Sequence, residues 1–241
     1  MRIIGSGSAL ASATRAHTST LFSFGGRPAL LIDVGDGTSH ALARLGLLPA
    51  EIPVVVLSHL HPDHAAGLPG YLQQLRLAPP PSTAQTPRLW LPPLAAERLP
   101  AALATFGFSE EKLGRLVRRE CYGAGSTITL PGDARLKVLA NEHLADSTLL
   151  GESFSFQIVH EHRRLYYSAD VAGPRDLERG SMGCDAAIVE CTHVGLPDIV
   201  DHLGHLRPCV LTHIPPELEA RTTEDAPSGL RWARDGLEFE W

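Results

Sequence analysis

Apolar residues along the chain fall in short runs rather than long stripes. Residues 20–24, 29–33, 54–58, 88–91, 126–130, 136–140, 154–159, 165–168, 186–190 and 209–212 read as β-strands. Between some of them, the apolar spacing predicts helices over 38–45, 64–76, 94–106, 109–119 and 197–206. The class is therefore mixed α and β. Hairpin-like spacing with helices interposed favours two packed sheets flanked by helices over one doubly wound sheet. Residues 78–93 carry six prolines, which exclude regular helix and predict a surface loop holding one short strand.

Two segments echo each other, Val55 to Pro62 and Cys209 to Pro216, each an apolar strand running into His and Pro. Such an echo fits two similar halves whose equivalent strand ends face one cleft. The chain of 241 residues is otherwise expected to form one domain over 1–241. No apolar window is long enough for a transmembrane helix, and the N-terminal apolar stretch is too short for a secretion signal, so a cytoplasmic location is expected.

Composition narrows the chemistry. Acidic residues outnumber basic ones 27 to 21, a formal charge of −6, so no basic field advertises nucleic acid or anionic membrane. The four cysteines are scattered, with no CxxC pair, which fits reduced thiols better than a zinc knuckle or disulfide framework. The twelve histidines are the unusual figure, because imidazole both binds metals and titrates near neutrality.

Their densest cluster is Ser58-His59-Leu60-His61-Pro62-Asp63-His64, where a strand runs straight into a helical pattern. Strand alternation puts His59 and His61 on one side, while Pro62 forces a turn that brings Asp63 and His64 to a second position. One hexapeptide could thus serve two divalent ions ~3.5–4 Å apart, which need nitrogen and carboxylate ligands together. Further ligands at strand ends would be His143, Asp170 and His213.

The order HLHPDH, a distant His, Asp closing Leu-Tyr-Tyr-Ser-Ala-Asp, and His in Leu-Thr-His resembles the metallo-β-lactamase superfamily with its HxHxDH signature. The stretch from Leu31 to Thr38 is similar to that family's LIDxGxGT segment. The resemblance implies an αββα sandwich: two mixed sheets flanked by helices, with a di-metal site at the sheet edges. It assigns His59, His61 and His143 to one zinc, and Asp63, His64 and His213 to the other, with Asp170 bridging; manganese or iron are alternatives to zinc. Asp33 is then either a brace for the ligand loop or a plain turn aspartate.

Gly5 to Ser8, His64 to Pro69, Val189 to His193 and Asp235 to Leu237 most resemble the ribonuclease Z branch, which includes small cyclic phosphate phosphodiesterases. The implied activity is hydrolysis of a small or cyclic phosphodiester, or of an RNA end, by a metal-bridging hydroxide. Asp63 would orient or deprotonate the water, and His193, with Glu190 beside it, would protonate the leaving group. The tRNA-processing enzymes of that branch carry a long basic arm before the bridging aspartate; only twenty-six residues separate His143 from Asp170. With no strong nucleic-acid footprint, tRNA 3′-end processing ranks second, although a homodimer could add basic surface. A lactonase or thioesterase using the same metals is the rival class. His202 and His205 read as a solvent-facing pair on a helix, and His160 and His162 as a hairpin tip. Segments 78–93 and 173–183 are expected to line the substrate pocket.

Overall fold

The computed structural model describes residues 1–78, 85–147 and 151–241, with two mixed sheets packed face to face. The first runs in chain order: β1 (Arg2–Gly5), β2 (Ser19–Phe24), β3 (Arg27–Ile32), β4 (Val54–Val56), β5 (Arg88–Leu91) and β6 (Arg118–Cys121). β1, β2 and β3 pair antiparallel, whereas β3, β4, β5 and β6 pair parallel. The second sheet holds β7 (Thr127–Thr129), β8 (Arg135–Ala140), β9 (Phe154–His160), β10 (Arg163–Tyr167), β11 (Ala186–Glu190), β12 (Cys209–Thr212) and β13 (Arg231–Trp232). It repeats the plan, antiparallel from β7 to β10 and parallel from β10 to β13.

Helices cover the outer faces. They are α1 (Thr38–Arg44), α2 (Pro62–Ala65), α3 (Leu68–Leu77), α4 (Pro93–Ala104), α5 (Glu110–Leu116), α6 (Pro174–Ser181), α7 (Leu196–Leu203) and α8 (Pro216–Glu219). None of the described helices is long and apolar enough to cross a membrane. The central strands are apolar throughout because both faces are buried. In β3 and β4, Leu30, Ile32, Val54 and Val56 face the second sheet, while Leu31 and Val55 join Leu42, Leu68 and Leu72 under the helices. The two ends of the described chain meet: Ile3 N–H donates to Leu237 O and Phe239 N–H to Met1 O.

Three expectations change. The helix expected over 109–119 stops at Leu116, and Arg118–Cys121 becomes the edge strand β6, in register with Arg88–Leu91. The helix expected over 64–76 is two helices, α2 and α3, separated at Gly67. The interruption has a steric cause. A Cβ on Gly67 would lie 2.1 Å from Gly35 O, and one on Gly35 would lie 2.2 Å from Asp63 O, so both glycines let the 33–37 loop touch the ligand-bearing turn. Counted from the switch to parallel pairing, β4 corresponds to β11 rather than β12. The echo of 55–62 and 209–216 thus brings two histidines to one cleft from non-equivalent strands. Of the proline-rich segment, 79–84 lie outside the described residues, while 88–91 form β5 as expected.

Candidate metal centre

The site lies where strands of both sheets end. β4 leads through Ser58 to His59, and the turn into α2 carries His61, Asp63 and His64. From the second sheet come His143 after β8, Asp170 after β10 and His213 after β12. Asp33, Ala169 and His213 have left-handed backbone (φ 64°, 47° and 52°), a conformation that costs non-glycine residues energy and persists only where surroundings enforce it.

Two groups of donor atoms form around Asp170. His59 Nε2 and His143 Nε2 lie 3.0 and 3.1 Å from His61 Nδ1, and Asp170 Oδ2 is 3.8 and 3.6 Å from those two Nε2 atoms. On the other side, Asp63 Oδ2 lies 2.9 Å from His213 Nε2 and 3.6 Å from His64 Nε2. Asp170 Oδ1 is 3.5 Å from that His213 nitrogen and 3.1 Å from that of His64. One carboxylate therefore turns one oxygen to each group. Every residue expected as a ligand is in one of the two groups.

Hydrogen bonding fixes which nitrogens have free lone pairs. Ser58 Oγ donates to Asp33 Oδ2, so at 3.0 Å from His59 Nδ1 it acts as acceptor and leaves Nε2 bare. His64 Nδ1 donates to Asp33 Oδ2 at 2.8 Å. Thr192 Oγ1 donates to His213 O and accepts from His213 Nδ1 at 2.9 Å. The bare Nε2 of His213 then faces Asp63 Oδ2, acceptor against acceptor. His64 Nε2 and Asp170 Oδ1 are both buried without a hydrogen-bond partner. Acceptors so crowded need a cation between them, and nitrogens about 3.3 Å apart are what tetrahedral zinc with ~2.05 Å bonds requires. The residues fit a divalent metal site.

Their protonation agrees. Burial holds His59 well below its ordinary pKa and lowers His61, while His143 falls to about 4, so all three are neutral at pH 7. Burial also opposes the charged form of His64, but the carboxylates of Asp170 and Asp33 outweigh it and raise its pKa well above the usual value. Burial pushes Asp170 and Asp63 up. The charge drawn to His64 overcomes this at Asp170, and the close approach of the His213 and His64 imidazoles does so at Asp63, leaving both below the usual carboxylate range. Without metal, a proton on His64 shares the countercharge role.

Glu190, at the end of β11, accepts from the backbone N–H of Thr192 and His193 at 2.6 and 2.9 Å, and its Oε1 is 3.2 Å from His193 Nδ1. That hydrogen bond raises the His193 pKa against the opposing effect of burial. The His193 side chain is 36% exposed and stacks beside His213. His202 instead sits in α7 with Nδ1 2.8 Å from Asp198 O, His205 lies beyond that helix, and neither lines the cavity. His160 and His162 flank the β9–β10 turn as expected.

Sequence reasoning did not single out Ser58, Asn141 or Thr192 as supports. Asn141 accepts from the His143 N–H at 3.2 Å and donates to Asp170 O at 3.0 Å, tying two donors together. The signal for each was a small polar residue beside a candidate ligand.

A cavity of about 380 Å³ opens over the site, lined by Asp63, Asp170 and His193 on the inside and by Leu10, Pro215 and Glu217 further out. Of the segments expected to line it, 173–183 does not: its helix α6 packs on the outer face of the second sheet. Its Asp176 there braces the His143 loop through Glu142 N–H. The described part of 78–93 is likewise absent from the lining.

Two mixed sheets with flanking helices and this donor set at their edge define a metallo-β-lactamase fold protein. YhfI from Bacillus subtilis, a solved metallo-β-lactamase fold protein, superposes with a TM-score of 0.73 at 20% identity, covering 98% of this chain and 96% of that one. Residues 1–192 match the family model described as Anti-Pycsar protein Apyc1, and the chain belongs to that family. The Anti-Pycsar protein Apyc1 of Paenibacillus harenae is 29% identical over 181 residues, 73% of this chain and 69% of its own. Ribonuclease Z of Ignicoccus hospitalis is 42% identical over 76 residues, 32% of this chain, and the match spans a quarter of that relative's length.

Proposed function

We propose that the chain is a di-metal phosphodiesterase acting on a small or cyclic phosphodiester. The observation that carries this reading is Asp170, whose two oxygens face two separate nitrogen-rich donor groups. His59, His61 and His143 would hold one zinc and Asp63, His64 and His213 the other, with Asp170 shared; manganese or iron would suit the same donors. Ions there would supply Lewis acidity toward phosphate oxygens and make an attacking water more acidic.

The chain's own groups do the rest. Asp63, lining the cavity with a lowered pKa, accepts the proton of the attacking water. His193, its Nδ1 held by Glu190 and its pKa raised, keeps a proton for the leaving alkoxide. Ser58, Thr192 and Asp33 hold the imidazoles in the tautomers that present bare nitrogens. No Lys or Arg lines the cavity among the described residues, which favours a small diester over a folded RNA held by many phosphates.

Hydrolysis of bis(p-nitrophenyl) phosphate by zinc- and manganese-loaded protein tests this, beside His61→Ala and a p-nitrophenyl ester. Diester turnover lost in the variant is the expected result. Turnover of the ester alone would instead indicate a lactonase or thioesterase.

A further inference from the structure

The cavity over the site is two-sided. Its inner wall is formed by buried donors, Asp63, Asp170 and His213. Its outer wall has Leu10, a large apolar side chain 68% exposed to solvent, the prolines Pro215 and Pro216, and Glu217. These outer pieces come from chain segments far apart, and they are clasped together. Glu219 of α8 accepts from Ser12 Oγ at 2.7 Å and from Thr14 Oγ1, and lies 3.5 Å from Arg15 Nε, so the loop bearing Leu10 is tied to the helix bearing Glu217.

Glu217 itself makes no hydrogen bond or ion pair with any described residue. Among the described residues no Lys or Arg lines the cavity to offset it, the one protonated group there, His193, being paired with Glu190, and the segments 79–84 and 148–150 contain no charged residue in sequence. Arg15, close by on the N-terminal loop, is committed to Ser6, Ala233 O, Thr222 and Glu219. The outer wall is thus an apolar surface with one uncommitted negative charge, while the inner wall is positive once both donor groups hold metal.

Resting on the phosphodiesterase reading above, we infer that this outer wall is the subsite for the organic half of the diester, with Leu10 and Glu217 setting its specificity. Leu10 and the prolines give a flat uncharged group an apolar face. Glu217 repels a second phosphate carried on that group, so the site selects diesters with a single negative charge.

The test uses two probes that differ by one phosphate: a nucleoside cyclic phosphate with a free primary hydroxyl, and the same compound with that hydroxyl phosphorylated. kcat/KM is measured for both with wild type, Glu217→Gln and Leu10→Ser. Binding of their slowly hydrolysed phosphorothioate analogues is measured by calorimetry alongside. Wild type is expected to prefer the singly charged probe. Glu217→Gln narrows that preference roughly fivefold, and the effect shrinks as salt rises. Leu10→Ser weakens both probes alike, about threefold. Equal preference in wild type, or a preference that Glu217→Gln leaves unchanged, overturns the inference. If neither probe is hydrolysed yet the binding preference still depends on Glu217, the phosphodiesterase reading fails and the subsite stands.

Discussion

Asp33 accepts two hydrogen bonds from Ser58, one from its backbone N–H at 2.6 Å and one from its hydroxyl at 2.8 Å, across twenty-five residues of chain. A third comes from His64 Nδ1 at 2.8 Å, so one buried carboxylate orients both His59, through Ser58, and His64. Of its two sequence readings, the brace is the one whose contacts are present. Asp33→Ala leaves three buried donors unpaired and is expected to cost about 3 kcal/mol. Asp33→Asn should weaken zinc binding about 10- to 100-fold with less effect on stability. Urea denaturation and competition with a chromogenic chelator measure the two, and unchanged affinity in Asp33→Asn would sink the bracing role.

Metal stoichiometry separates the donor groups. His143→Ala should lower bound zinc by one ion, since His143 belongs to one group, whereas Asp170→Ala should empty both, since its oxygens divide between them. Elemental analysis after dialysis reads this directly. Equal losses in the two variants would contradict a shared aspartate.

Glu190→Gln is expected to move the alkaline limb of the kcat profile to lower pH. His193 donates a proton only while protonated, its pKa is raised by the Glu190 hydrogen bond, and activity falls as pH rises through that value. Removing the charge lowers the pKa, so activity is lost earlier on the way up. A limb that stays in place assigns the proton to another group.

Gly67→Ala tests the close approach. Its Cβ would sit 2.1 Å from a backbone oxygen that cannot swing away, so the 33–37 loop must move, at roughly 2–3 kcal/mol and with weaker metal binding. Gly46→Ala, with open space around its Cβ position, has left-handed backbone of its own and serves as the strain-only comparison. Thermal denaturation of both, with zinc titration, distinguishes packing from backbone strain.

The ligand hexapeptide was legible because a strand ending in four chemistry-bearing residues has few bland explanations. The central strands were legible because burial on both faces leaves continuous apolar runs such as Ala29 to Ile32. β6 was not, because Arg118, Arg119 and Glu120 are an edge strand's polar residues and follow a helix without a break. The cavity wall was misread for a different reason. Leu10 and Glu217 are brought together by Glu219 and the N-terminal loop, a long-range contact that no local pattern records. His143, Asp170 and His213 were legible only as polar residues closing apolar runs, each ordinarily just a loop residue, and gained weight from the hexapeptide and the family resemblance together.

The division of donors between the sheets has a mechanical side. His59, His61, Asp63 and His64 belong to the first sheet's half of the chain, and His143, Asp170 and His213 to the second. A bound metal pair would rivet the sandwich along the edge where it is otherwise open. Withdrawing it would leave the two halves joined there by their apolar faces and by hydrogen bonds such as Ile214 N–H to Ser6 O, freer to breathe. Occupancy would then be felt far from the cleft, as slower amide exchange in the strands of both sheets at once.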